Sequence, residues 1–189
     1  MQHFKGTATA VATLIVAACG AAPTNQPGEP GMQTGVDASN APEASTPAPP
    51  RPVDIARQKA TEAYVGMWRD MAAAATTSDW QSPTIARHAT GDALGVITRS
   101  LRTDHTDGVV TRGEPVNHPH VSTVDSTETP ALIMITDCGD STHWLKYRLD
   151  GEPFDDTPGG RRSITAEVKL QSDGSWKVTR FAVQEVGTC

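Results

Sequence analysis

The stretch ITAEVKLQSDGSWKVTRFAVQEV, residues 164–186, decides the fold. Ile164, Ala166, Val168 and Leu170 alternate with Thr165, Glu167 and Lys169, the period-two pattern of a strand with one buried face. Ser172-Asp173-Gly174 is a hairpin turn signal, and Trp176 to Val186 reads as the returning strand. Strands joined by so short a turn run antiparallel, so the C-terminal part of the chain is an antiparallel sheet.

Toward the N-terminus the same grammar repeats as far as Gly108. His143 to Leu149 alternates, with Leu145, Tyr147 and Leu149 on one face, and Asp150-Gly151 ends it; Pro158-Gly159-Gly160 closes the next loop. Ala131 to Cys138 is the strongest apolar run and predicts the best-buried strand. Val109 to Arg112 and Val116 to Val124 are β-rich, but Pro115 and Pro119 confine them to edges or bulges.

Before Gly108 the period changes to that of helices. Asp54 is placed to cap a first helix whose apolar face is Ala60, Ala63, Tyr64, Met67, Trp68, Met71, Ala74 and Ala75. Gly66 in the middle of it costs about 1 kcal/mol, which predicts close packing against a neighbour. Ser82-Pro83 starts a short second helix, and Thr90 caps a third with Leu94, Ile97, Thr98 and Leu101 on its face. The fold class is therefore α+β, three N-terminal helices packed on a curved antiparallel sheet, in a domain covering residues 53–189. Leu145 and Tyr147, expected on the strand next to Ile164–Leu170, would complete an apolar wall facing the first helix. Any pocket there would be small and suited to an apolar ligand, while a core filled by Trp68, Trp80, Trp144 and Trp176 is the preferred expectation.

The N-terminal quarter has another character. Residues 1–18 combine one lysine, Lys5, with an uncharged apolar run from Gly6 to Val16, the form of a secretory signal; about 11 residues fall short of the roughly 20 that span a membrane. Residues 19–52 hold eight of the chain's 14 prolines among Ala, Thr, Ser and Gly, a composition that predicts an extended tether reaching at most roughly 100 Å. Val16-Ala17-Ala18-Cys19 resembles the bacterial lipobox. That resemblance implies a diacylglyceryl group on Cys19, cleavage before it, and a cell-membrane location on the extracytoplasmic face, with the membrane as partner through the lipid. The competing reading is an ordinary signal cut near Ala18, leaving a secreted protein.

Net charge is −6 and no basic stripe exists, which excludes a nucleic-acid partner of the electrostatic kind. With Cys19 assigned to lipid, Cys138 and Cys189 are an even pair in an oxidising compartment, and a disulfide is predicted over two unpaired thiols.

Helices followed by a curved antiparallel sheet resemble the nuclear transport factor 2-like cone, also seen in ketosteroid isomerase and scytalone dehydratase. Tyr64 and Trp68, the Asp137-Cys138-Gly139-Asp140 turn, Trp176-Lys177-Val178 and the terminal Gly187-Thr188-Cys189 resemble small actinobacterial lipoproteins. The cone carries enzymes and binding domains alike, so it implies no single activity.

Candidate chemistry is sparse. Asp137, Asp140 and His143 lie within seven residues at the end of the apolar strand, and His143 oriented by Asp137 would make a general base. A turn built on the two aspartates, with a solvated His143, is the preferred alternative. His118-Pro119-His120, with His88 and His105, lacks a third ligand at diagnostic spacing, so no metal is assigned and no cofactor is expected. Arg161-Arg162 reads as a solvated strand start. The leading functional expectation is a non-enzymatic binding or interaction domain, for a protein partner or a small apolar ligand; the alternative is a small acid-base enzyme using Asp137 and His143.

Overall fold

The computed structural model describes residues 49–154 and 159–189. The expected signal, the lipobox-like residues up to Cys19, nearly all of the expected tether and Pro158 lie outside the described residues.

Three helices, α1 (Pro52–Ala75), α2 (Ile85–His88) and α3 (Gly91–Thr106), precede six strands: β1 (Val109–Arg112), β2 (His120–Val124), β3 (Leu132–Asp140), β4 (Leu145–Arg148), β5 (Arg161–Leu170) and β6 (Trp176–Val183). Helix α1 begins three residues earlier than an N-cap at Asp54 predicts. Pro52 supplies a φ already suited to the first turn, Arg51 is the extended N-cap, and Asp54 sits inside the first turn, bonded to the Arg51 guanidinium at 2.8 and 2.9 Å. The expected apolar face is the buried one, with Met71 partly covered. Thr90 caps α3 by its extended backbone only, without a side-chain bond.

Strands β2, β3, β5 and β6 form one antiparallel sheet in the order β2-β3-β5-β6. The register runs from Leu132↔Lys169 to Asp140↔Arg161 between β3 and β5, and from Ile164↔Val183 to Leu170↔Trp176 between β5 and β6. Bulges near Ser122 and Thr179 bend the strands that carry them, which curves the sheet. Helices α1 and α3 cover one face, and Ile97, Leu101, Ile133, Ile135, Val168 and Val178 join Tyr64 and Met67 in the core.

Several expectations are corrected here. Leu145 and Tyr147 do not neighbour β5, because β3 and β6 occupy both its edges along most of its length; β4 instead pairs β1 in a separate two-stranded sheet, Val110 opposite Tyr147. Gly113 permits that pairing: its φ is +84°, and a Cβ there would lie 1.8 Å from the His143 carbonyl oxygen. Leu170 shares the parity of Ile164, Ala166 and Val168 but is exposed, being the last residue before the hairpin turn. Pro119 delays β2 to His120, so Val116 makes only an isolated bridge to Asp140.

Strand β6 stops at Val183 rather than Val186. Its continuation still follows β5: the Gln184 amide donates to the Ser163 carbonyl, the Gly187 amide to the Arg161 carbonyl, and the Ser163 amide to the Thr188 hydroxyl oxygen, at 2.8–2.9 Å. A disulfide from Cys138 on β3 to Cys189 ends the tail, with Cα atoms 5.9 Å apart. Among the described residues no helix is long and apolar enough to cross a membrane.

Candidate functional site: an aromatic cleft beside a buried carboxylate

The space between helices and sheet is not completely filled. Two of the four tryptophans line a cleft of about 310 Å³ bounded by α1 (Trp68, Met71), α3 (Leu101, Asp104) and the sheet (Ile164, Phe181), with Trp144 from the β3–β4 loop. All four tryptophans join the core or pack against it, as expected, but Trp80 and Trp176 lie outside the cleft wall, so the expectation that they leave no open space is corrected. Trp68 is the hub of the wall. Its ring meets Trp144 at 6.1 Å and Phe181 at 5.5 Å in edge-to-face contacts, the geometry aromatic quadrupoles favour.

The indole N–H groups of Trp68 and Trp144 are buried without a hydrogen-bond partner among the described residues. Each such donor costs about 1–3 kcal/mol relative to a satisfied one. The Trp68 N–H lies near enough to the Tyr64 oxygen to favour its ionised form, but at no hydrogen-bonding geometry, so it counts as unpartnered.

Asp137, 5% exposed on β3, is not on the cleft wall but bonds to Asn117, which is. Its Oδ2 accepts from the Tyr64 hydroxyl at 2.8 Å and from Asn117 Nδ2 at 2.7 Å, and its Oδ1 from the His118 amide at 2.7 Å. Burial, and then the adjacent Asp137 charge, push the Tyr64 phenol well above its ordinary value, so it stays a hydrogen-bond donor. Gly139 lets Ile164 pack closely at this corner, since a Cβ there would meet Ile164 Cδ1 at 2.6 Å.

His143 is not brought to Asp137. It is exposed, as the preferred reading has it, while both Asp137 oxygens are taken by Tyr64, Asn117 and His118, so the alternative base-and-orienter pair is not formed. Asp140 accepts from the Thr142 amide at 2.8 Å and hydroxyl at 2.6 Å, bonds that hold its carboxyl below the usual range. His118 and His120 are exposed, and no group of three metal-ligating side chains occurs among the described residues. Arg162, read as a solvated strand start, is half-buried on the cleft wall.

Sequence reasoning missed one oriented histidine. His88 Nδ1 lies 2.7 Å from Oδ2 of the buried Asp70, whose Oδ1 accepts from Arg87 at 2.7 Å. This network fastens α2 to α1, and Gly66 was its only sequence signal.

No protein-family model matches the chain, and no curated protein matches it. Among solved structures, the intermembrane-space region of the chloroplast protein ARC6 is similar at 18% identity and a TM-score of 0.46, covering 72% of this chain and 98% of that one. A ketosteroid isomerase-like protein from Erwinia carotovora atroseptica is similar at 12% identity and a TM-score of 0.40, covering 67% and 93%. A protein from Catenulispora acidiphila in complex with S-DNPA is similar at 14% identity and a TM-score of 0.38, covering 69% and 92%.

Proposed function

We propose that this chain is a binding domain with a nuclear transport factor 2-like cone, whose cleft takes a small, largely apolar molecule. The observation that carries this reading is the aromatic cleft itself, walled by Trp68, Trp144, Phe181 and Ile164. Its volume lies at the small end of the roughly 300–1,000 Å³ typical of ligand sites. Binding is favoured over acid-base catalysis because Asp137 spends its oxygens on three structural donors and His143 stands apart from it. A general base must reach the proton it removes, and neither residue is so placed.

The same proposal puts the domain outside the cytoplasmic membrane, held by lipid on Cys19 through the proline-rich segment of residues 19–52. The lipobox-like Val16-Ala17-Ala18-Cys19 supports this, since two acyl chains give a stable anchor where one does not.

One preparation tests both halves. Native mass spectrometry of the protein extracted from its own membrane should give a mass for a chain starting at lipidated Cys19, plus a copurifying small hydrophobic molecule lost on collisional activation. A chain still carrying residues 1–18, or an unlipidated Cys19 in the soluble fraction, would defeat the anchor. A bare mass, with no stabilisation by any apolar compound, would defeat the ligand and leave a protein-partner domain.

A further inference from the structure

The cleft offers more than an apolar wall. The buried polar atoms without partners among the described residues are Trp68 Nε1 and Trp144 Nε1; both belong to side chains that line it, and both are donors. Its charged groups divide in the same sense. Lys146 is engaged by Asp104 at 2.5 Å, and Asp140 already accepts two bonds from Thr142. Arg162, by contrast, meets among the described residues only the Gln184 carbonyl, at 3.5 Å, through one of its five N–H donors. Both acids are already bonded, each through Oδ1, whereas Arg162 and the two indoles are donors with little or no engagement.

We infer that the ligand is an amphipathic carboxylate: an apolar body against Trp68, Phe181 and Ile164, with its anionic end taken by Arg162 at the rim. The guanidinium fork matches a carboxylate through paired N–H bonds, which a lysine in its place could not reproduce. A cationic ligand would meet two carboxylates that are already bonded and one guanidinium that repels it. The indole N–H groups give a second acceptor-seeking element deeper in the cleft, reached when the rings turn toward a ligand oxygen. This inference rests on the binding reading above, and it assigns Arg162 the part of specificity residue.

The test is calorimetric titration of the full chain with decanoate, decan-1-ol and decylammonium, each below its micelle-forming concentration and at one ionic strength. Decanoate should bind about tenfold more tightly than the alcohol, the size of one charge-assisted hydrogen-bonded contact, and decylammonium most weakly. Arg162→Gln should lower decanoate affinity about tenfold, to the level of the alcohol, and leave the alcohol unchanged; Arg162→Lys should restore only part of the preference. If wild type does not prefer decanoate, or Arg162→Gln keeps that preference, the carboxylate inference fails while cleft binding stands. If none of the three binds, the binding reading fails with it. Unchanged melting temperatures of the Arg162 variants separate lost recognition from lost folding.

Discussion

At Gly66 the chain gives up helix propensity for a contact. A Cβ there would sit 2.8 Å from three atoms of the His88 ring, the ring whose Nδ1–H donates to the carboxylate of buried Asp70. In an exposed helix Gly→Ala stabilises by about 1 kcal/mol. Here it must displace the imidazole and strip a partner from a buried carboxylate, a loss of about 1–3 kcal/mol that outweighs the propensity gain. Gly66→Ala should therefore lower the urea midpoint with an unchanged m-value, and the same substitution in a His88→Ala background should be neutral or stabilising. A more stable single mutant would contradict the packing account. The sequence flags Gly66 as a close approach, because the cost of glycine in a helix is local. It could not name His88, because that partner is fixed by tertiary contact. Asp137 is similar: the apolar run puts it near a strand end, but β3 continues to Asp140, and the donors to Asp137 come from Tyr64, Asn117 and His118, which only the fold brings together.

Among the elements, the strands with clear alternation or a long apolar run, β3, β5 and β6, form where the pattern puts them with shifts only at their ends, and the short ones carry the differences in pairing. The four residues of β4 alternate well enough to read as a strand, but alternation says nothing about which edge a strand finds. With β5 paired on both sides, β4 takes β1. The C-terminal tail is the element most dependent on a single bond. It follows β5 through backbone bonds at Gln184 and Gly187 and is tied down by Cys138–Cys189. The closed loop, 51 residues in separation, is worth about 4 kcal/mol in the chain-entropy model. Cys189→Ser should lower stability by up to that amount. In hydrogen exchange, Gln184, Gly187 and Ser163 should lose protection first, while the β3–β5 ladder keeps its own. Uniform loss across the sheet would mean that the bond supports the core and not the tail.

For the whole molecule, order and composition made an α+β domain legible: helical periods before Gly108, strand periods after it, and turn signals short enough to force antiparallel pairing. The cleft was half legible. Its apolar character follows from the inward residues of β5 and the Trp68 face of α1, but its openness does not, because counting aromatic residues does not reveal which ones face the same space. Two of the four tryptophans, Trp68 and Trp144, line the cleft, and Trp80 and Trp176 do not. That division gives a direct readout of the central claim that this cleft is where a ligand binds. In ¹⁵N correlation spectra of the full chain titrated with decanoate, the indole N–H signals of Trp68 and Trp144 should move together and saturate, while those of Trp80 and Trp176 stay in place. Stationary Trp68 and Trp144 signals, or shifts confined to Trp80 and Trp176, would contradict it.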